Sequence, residues 1–124
     1  MRSALNEIRN ALVFEEAADH ILTHADEYDV AELILPMRGK PYFERCAYVL
    51  SRMPTDFIAG HAVELLEWFQ DVNWPGVDAI YTALRRLPEA EIAMAVKKAL
   101  ETARMAKDEE WAYNLCEKFG DHIG

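Results

Sequence analysis

Residues 41–54, PYFERCAYVLSRMP, can be laid over residues 75–88, PGVDAIYTALRRLP, at an offset of 34. Pro41 then meets Pro75, Leu50 meets Leu84, Arg52 meets Arg86 and Pro54 meets Pro88, with Met53 over Leu87. The same offset carries residues 54–67 onto 88–101 and adds Ile58 with Ile92, Ala59 with Ala93, Leu66 with Leu100 and Glu67 with Glu101. That makes eight identities in 27 positions. Further on, DVNW at 71–74 matches DEEW at 108–111 at an offset of 37, which a short insertion in the later turn explains. Upstream, Ile34 and Leu35 fall 34 residues before Trp68 and Phe69. A period of 34–37 residues with two helices per unit predicts stacked helical hairpins, each burying its inner face against its neighbours. The small residues that a tetratricopeptide array needs at fixed places are missing. The expected fold is therefore all-α, a HEAT-like α-α superhelix of about four helix pairs in a single domain, residues 1–124. An irregular helical bundle is the competing arrangement.

The apolar residues recur at spacings of three and four. Ile58, Ala62, Leu65, Leu66 and Phe69 form one helical stripe, with Glu64 and Glu67 off it. Ser3, Thr55 and Asp108 stand where N-caps belong, and Pro41, Pro54, Pro75 and Pro88 stand at or near helix starts. Helices are expected near 3–12, 14–25, 29–35, 41–52, 55–70, 75–86, 89–105 and 108–119, with no sheet.

The chain has 124 residues, 52% of them hydrophobic, so it has enough apolar mass for its own core without disulfides or metal. Thirteen basic residues against 22 acidic ones give a net charge of −9. An acidic surface argues against gripping phosphate backbones or anionic lipid, and leaves a basic or neutral partner, with a basic protein preferred. Two cysteines, a polar N-terminus and no long apolar run point to a cytoplasmic protein with reduced thiols.

The segment LEWFQDVNWP, residues 66–75, joins two helices. Asp71 or Asn73 is placed to cap the second helix, with Pro75 in its first turn and the indoles of Trp68 and Trp74 closing over the elbow. This turn resembles that of a small uncharacterised bacterial all-helical family, of the DUF5071 type, whose members carry an L-E-W-L-Q-D-x-N-W-P turn and a later D-D-x-W element. The likeness covers residues 57–119, with Phe69 in place of the usual leucine and DEEW, ending at Trp111, as the second element. The resemblance implies a compact HEAT-like superhelix and supplies no catalytic residues. Trp68, Asp71, Asn73, Trp74, Pro75 and Trp111 are read as structural anchors, with an exposed binding edge as the alternative.

Chemistry is sparse. His20 and His24 lie four apart, with Glu16 before and Glu27 after, a spacing that permits zinc but that a solvated helix face also meets. His61 and His122 read as structural or exposed residues. Cys46 and Cys116 read as core fillers. No Gly-rich phosphate loop, nucleophile elbow or paired-cysteine motif occurs. No catalytic residue, cofactor or metal is expected. On the faces pointing away from the core, helix 41–52 leaves Glu44, Tyr48 and Ser51, which the 34-residue offset maps to Asp78, Thr82 and Arg85; helix 108–119 leaves Glu110, Tyr113 and Glu117. This strip is acidic and carries two tyrosines, a composition suited to steering and then packing a basic partner. The leading expectation is a non-enzymatic protein-interaction module, with an immunity or antitoxin-type inhibitor of a basic protein as one form of it. The alternatives are a metal-dependent enzyme or sensor using His20 and His24, and a self-associating structural domain.

Overall fold

The computed structural model describes residues 1–34 and 43–122. Within them lie eight α-helices: α1 (Ala4–Arg9), α2 (Phe14–Thr23), α3 (Phe43–Ser51), α4 (Thr55–Gly60), α5 (Ala62–Leu65), α6 (Val77–Leu84), α7 (Glu89–Met105) and α8 (Glu109–Phe119). The chain is all-α. Pro41 and Leu35, two positions used in aligning the repeat, lie outside the described residues. The helix starts keep the internal offset, since α3 and α6 begin at Phe43 and Val77, and α4 and α7 at Thr55 and Glu89.

Apolar burial follows the helical stripes. Ile58, Ala62, Leu65, Leu66 and Phe69 are all buried, as are Cys46, Val49, Leu50 and Met53 on α3 and its exit. Trp111, Leu115 and Phe119 turn inward from α8. Ser3 and Asp108 cap α1 and α8, their side chains accepting the backbone N–H of Asn6 and Trp111 at 3.2 and 3.0 Å.

Several expected elements are altered. The helix expected over 55–70 breaks after Gly60, a poor helix former, and His61 takes a non-helical backbone before α5. Its last turn tightens to a 3₁₀ helix, Leu66–Gln70. The segment expected as helix 29–35 is instead a 3₁₀ turn, Val30–Leu33. Pro54, not Thr55, holds the N-cap of α4. The expected absence of sheet is also corrected: Arg2–Ser3 pairs in parallel with Tyr28–Asp29, a two-residue strand pair that ties the N-terminus to the exit of α2.

The buried 3₁₀ turn exposes carbonyls that α-helical pairing leaves open, and α8 supplies donors to them. The Trp111 indole N–H donates to the Leu66 carbonyl at 3.1 Å and the Asn114 amide to the Phe69 carbonyl at 2.8 Å. From inside the same turn, the Trp68 indole donates to the Ile34 carbonyl. Asn114 is the one polar side chain buried with the core among the described residues.

α3 and α6 pack side by side and run the same way. At their starts Gly76 abuts α3, and at their ends the Arg86 guanidinium donates to the carbonyls of Ser51 at 2.9 Å and Met53 at 2.6 Å. Gly76 has φ +93°, and a Cβ there would lie 2.5 Å from the Ala47 Cβ and 3.3 Å from the Glu44 Cα. Both the backbone and the space demand glycine. Gly76→Ala is expected to cost about 1–2 kcal/mol for the left-handed backbone and about 1–3 kcal/mol more for overpacking, read from urea unfolding. Asn114→Leu keeps the branched outline of the side chain but leaves the Phe69 carbonyl unpaired, and should cost about 1–3 kcal/mol. Exposed Tyr113→Ala on the same helix should stay within about 0.5 kcal/mol of wild type.

Candidate interaction groove

The stripe that buries Cys46, Ala47, Val49 and Leu50 leaves Glu44, Arg45, Tyr48 and Arg52 on the outer side of α3. Phe14 opens α2 on one flank, and Gly76, Asp78 and Ala79 open α6 on the other. Together these residues line a groove of about 530 Å³. The missing side chain at Gly76 lets α6 approach α3 closely.

The floor is the pair Phe14 and Tyr48, edge to face with centroids 5.2 Å apart. Each ring carries a guanidinium: Arg45 lies 5.2 Å from the Phe14 centroid and Arg52 3.5 Å from that of Tyr48. Arg45 also donates to the Ile8 carbonyl at 3.5 Å, and Arg52 to the Tyr48 carbonyl at 3.1 Å. Glu44 and Asp78 sit in the first turns of α3 and α6, so both carboxylates mark the same end of the groove. Arg52, just past α3, marks the other. The ion pairs among the described residues are Arg2–Glu7, His24–Glu27 and His61–Glu64, so none of the four charged groups lining the groove is paired there.

Of the expected strip, the groove gathers Glu44, Tyr48 and Asp78. Thr82 lies a turn beyond, exposed, its hydroxyl donating to the Asp78 carbonyl at 3.0 Å. Glu110, Tyr113 and Glu117 are exposed on α8 but do not line this groove, because α8 packs on α7 and on the 3₁₀ turn. Phe14, Arg45 and Arg52 were not expected in a binding surface. Arg45 and Arg52 are seven residues apart, so they fall on one side of α3 and its exit, a signal present in the sequence; the approach of Phe14 from another helix is not. With two guanidinium groups in it, the groove is of mixed charge instead of uniformly acidic.

The tryptophan turn works differently from its expected form. Asp71 accepts the backbone N–H of Asn73 at 2.9 Å, closing the turn on itself, while Gly76 takes the N-cap of α6 and Pro75 precedes the helix. Trp68 is enclosed, whereas Trp74 is half-buried. Phe43 stands between them, 5.4 Å from Trp68 and 5.1 Å from Trp74. The turn thereby fixes the start of α3, one helical step from Glu44.

At the histidine pair the His20 and His24 rings lie 4.7 Å apart. His20 Nδ1 meets the Tyr28 hydroxyl at 2.7 Å and His24 Nδ1 meets Glu27 at 3.0 Å. No group of three or more His, Cys, Asp or Glu side chains is arranged to hold a metal ion among the described residues. His61 Nδ1 meets Glu64 at 3.1 Å. Burial, with Glu64 nearby, raises the Glu67 carboxyl above its ordinary range. The side chain of His122 lies outside what is described.

A family model described as a domain of unknown function, DUF5071, matches residues 41–124. The chain belongs to the DUF5071 family. No significant match links it to a curated protein or to a solved structure. The DUF5071 region supplies α3 and α6 to the groove, while Phe14 comes from the segment before it. No helix of the described residues is long and apolar enough to cross a membrane.

The two thiols separate cleanly. Cys46 is buried, and burial pushes its thiol up to about 12; Cys116, expected in the core, is exposed because it falls off the stripe of Trp111, Leu115 and Phe119. A thiol reagent at pH 8 should modify Cys116 in the folded protein and reach Cys46 only after denaturation. Cys46 keeps its proton when folded to a higher pH than when unfolded, so this contribution to stability is full below the unfolded thiol pKa, about 8.5. It should fade as pH rises toward about 12.

Proposed function

We propose that this DUF5071 protein is a non-enzymatic, cytoplasmic interaction module that binds a basic protein through the groove between α2, α3 and α6. The observation that supports this most directly is that Glu44, Tyr48 and Asp78 line one groove around an aromatic floor. A half-buried aromatic pair gives a partner area to bury, and tyrosine does so with little rotamer entropy to lose. The net charge of −9 draws a basic partner from a distance. The 34-residue offset in helix starts favours a HEAT-like superhelix, with α3 and α6 as equivalent helices on the binding side. An immunity or antitoxin-type inhibitor of a basic protein is the concrete form we favour, since small acidic proteins suit neutralising a cationic target.

The test begins with a partner captured by the full chain from its native host and then measured by surface binding kinetics. Tyr48→Ala should speed dissociation at least tenfold, because packing is felt after contact. Glu44→Lys with Asp78→Lys should slow association severalfold and flatten its salt dependence. Tyr113→Ala on α8 serves as the control and should change neither rate. Equal rates for wild type and the groove variants would remove the groove from the binding surface.

A further inference from the structure

A second groove, of about 210 Å³, runs between α5 and α7. Ala62 and Val63 line one side of it, and Glu91, Met94, Ala95 and Lys98 the other. The four residues of α7 follow the i, i+3, i+4, i+7 spacing of a single helix face, so they form one seam. At its middle Met94 is 64% exposed, beside the small Ala95. Glu91 and Lys98 stand at its two ends, and no ion pair among the described residues engages either. The other charged residues of α7, Glu89, Lys97, Glu101 and Arg104, do not line the groove. Reversing the direction of the seam exchanges 91 with 98 and 94 with 95. An acid then changes places with a base, which is the property a two-fold contact needs.

We infer that this seam is the interface of a two-fold homodimer, covered by α7 of a second copy running antiparallel. With the axis between residues 94 and 95, Glu91 of each copy lies level with Lys98 of the other, and the two Met94 side chains meet beside the axis. Ala95 leaves room for the helices to approach. A parallel pairing would set Glu91 against Glu91 and Lys98 against Lys98, so the charges select the antiparallel direction. Each copy carries a net charge of −9, and most faces of two copies therefore repel; on this seam one acid and one base balance. The inference does not rest on the groove between α2, α3 and α6, because the two grooves share no residue.

Sedimentation equilibrium of the full chain, at rising concentration and physiological salt, is the test. The wild-type chain is expected to show a reversible monomer–dimer equilibrium. Glu91→Lys and Lys98→Glu should each raise the dissociation constant about tenfold, since either change places like charges together twice about the axis. The chain carrying both changes should regain the wild-type constant, because its charge order is only reversed. The two single variants, mixed in equal amounts, should form a heterodimer in preference to either homodimer. Met94→Ala should weaken the dimer about tenfold. Met105→Ala, at a side chain 86% exposed on the same helix but off the seam, should leave it unchanged. All the altered side chains are exposed, so each variant is expected to keep the wild-type circular dichroism. A wild-type chain that stays monomeric up to about 1 mM would overturn the inference. So would a dimer indifferent to the single reversals, or one that the combined reversal does not restore. A dimer dissociated by Tyr48→Ala and not by Met94→Ala would place the second copy in the groove of α2, α3 and α6 instead. Failure of a captured basic partner to depend on Tyr48 bears on that groove alone and leaves the α7 seam standing.

Discussion

A buried helix end must find donors for its last carbonyls, and in this chain α8 brings them to the Leu66–Gln70 turn. Leu66 and Phe69 are buried, so an open carbonyl at either is costly unless a side chain meets it. The Trp111 indole and the Asn114 amide do so from 45 residues away. The Trp68 indole passes a third bond back to Ile34, 34 residues earlier. Three side-chain donors thus join the N-terminal, middle and C-terminal parts of the chain at one turn. Apolar replacements could fill the same space, but none could satisfy the carbonyls.

The turn reaches the groove through Phe43. That ring packs against both Trp68 and Trp74, and α3 begins with it. Four residues later in sequence than the described turn closure at Asn73, Val77 starts α6 against the same part of α3, through a glycine whose missing Cβ leaves room. The start of each groove helix is therefore set by packed aromatic and backbone contacts. The walls of the groove are thus held in place by the packing of the fold itself. Residues 1–34 lie before the family match yet contribute to this arrangement, through Ile34 to the turn and Phe14 to the floor.

What could be read from the amino acids alone was the part governed by local periodicity. The stripe from Ile58 to Phe69 is buried throughout, and the outward set on α3 was recovered from its complement, which is why Glu44 and Tyr48 were found. What could not be read depends on partners distant in sequence. Nothing local says that Leu66–Gln70 tightens to a 3₁₀ turn, because its donors stand on α8. Nothing local says that Asp71 closes its own turn in preference to capping α6, because the cap position is taken by a glycine that α3 selects. The α8 trio Glu110, Tyr113 and Glu117 was joined to the strip by a helical-wheel argument. Such an argument tells which residues face water but not which helices share a surface. Cys116 shows the opposite error, an apolar residue near a stripe whose angular position leaves it exposed.

Charge acts here over two distances, and the two need not favour the same chemistry. Beyond a Debye length of about 8 Å a partner feels mainly the summed charge of −9, which favours any cationic body and discriminates poorly among them. Within contact distance the local groups dominate, and at the groove these include Arg45 and Arg52 as well as Glu44 and Asp78. A uniformly basic segment would be attracted by the chain and then meet a guanidinium over Tyr48, so encounter and fit would be opposed. The net charge thus acts on anything that approaches, whereas the cation held over the Tyr48 ring acts only at contact and opposes a uniformly basic surface.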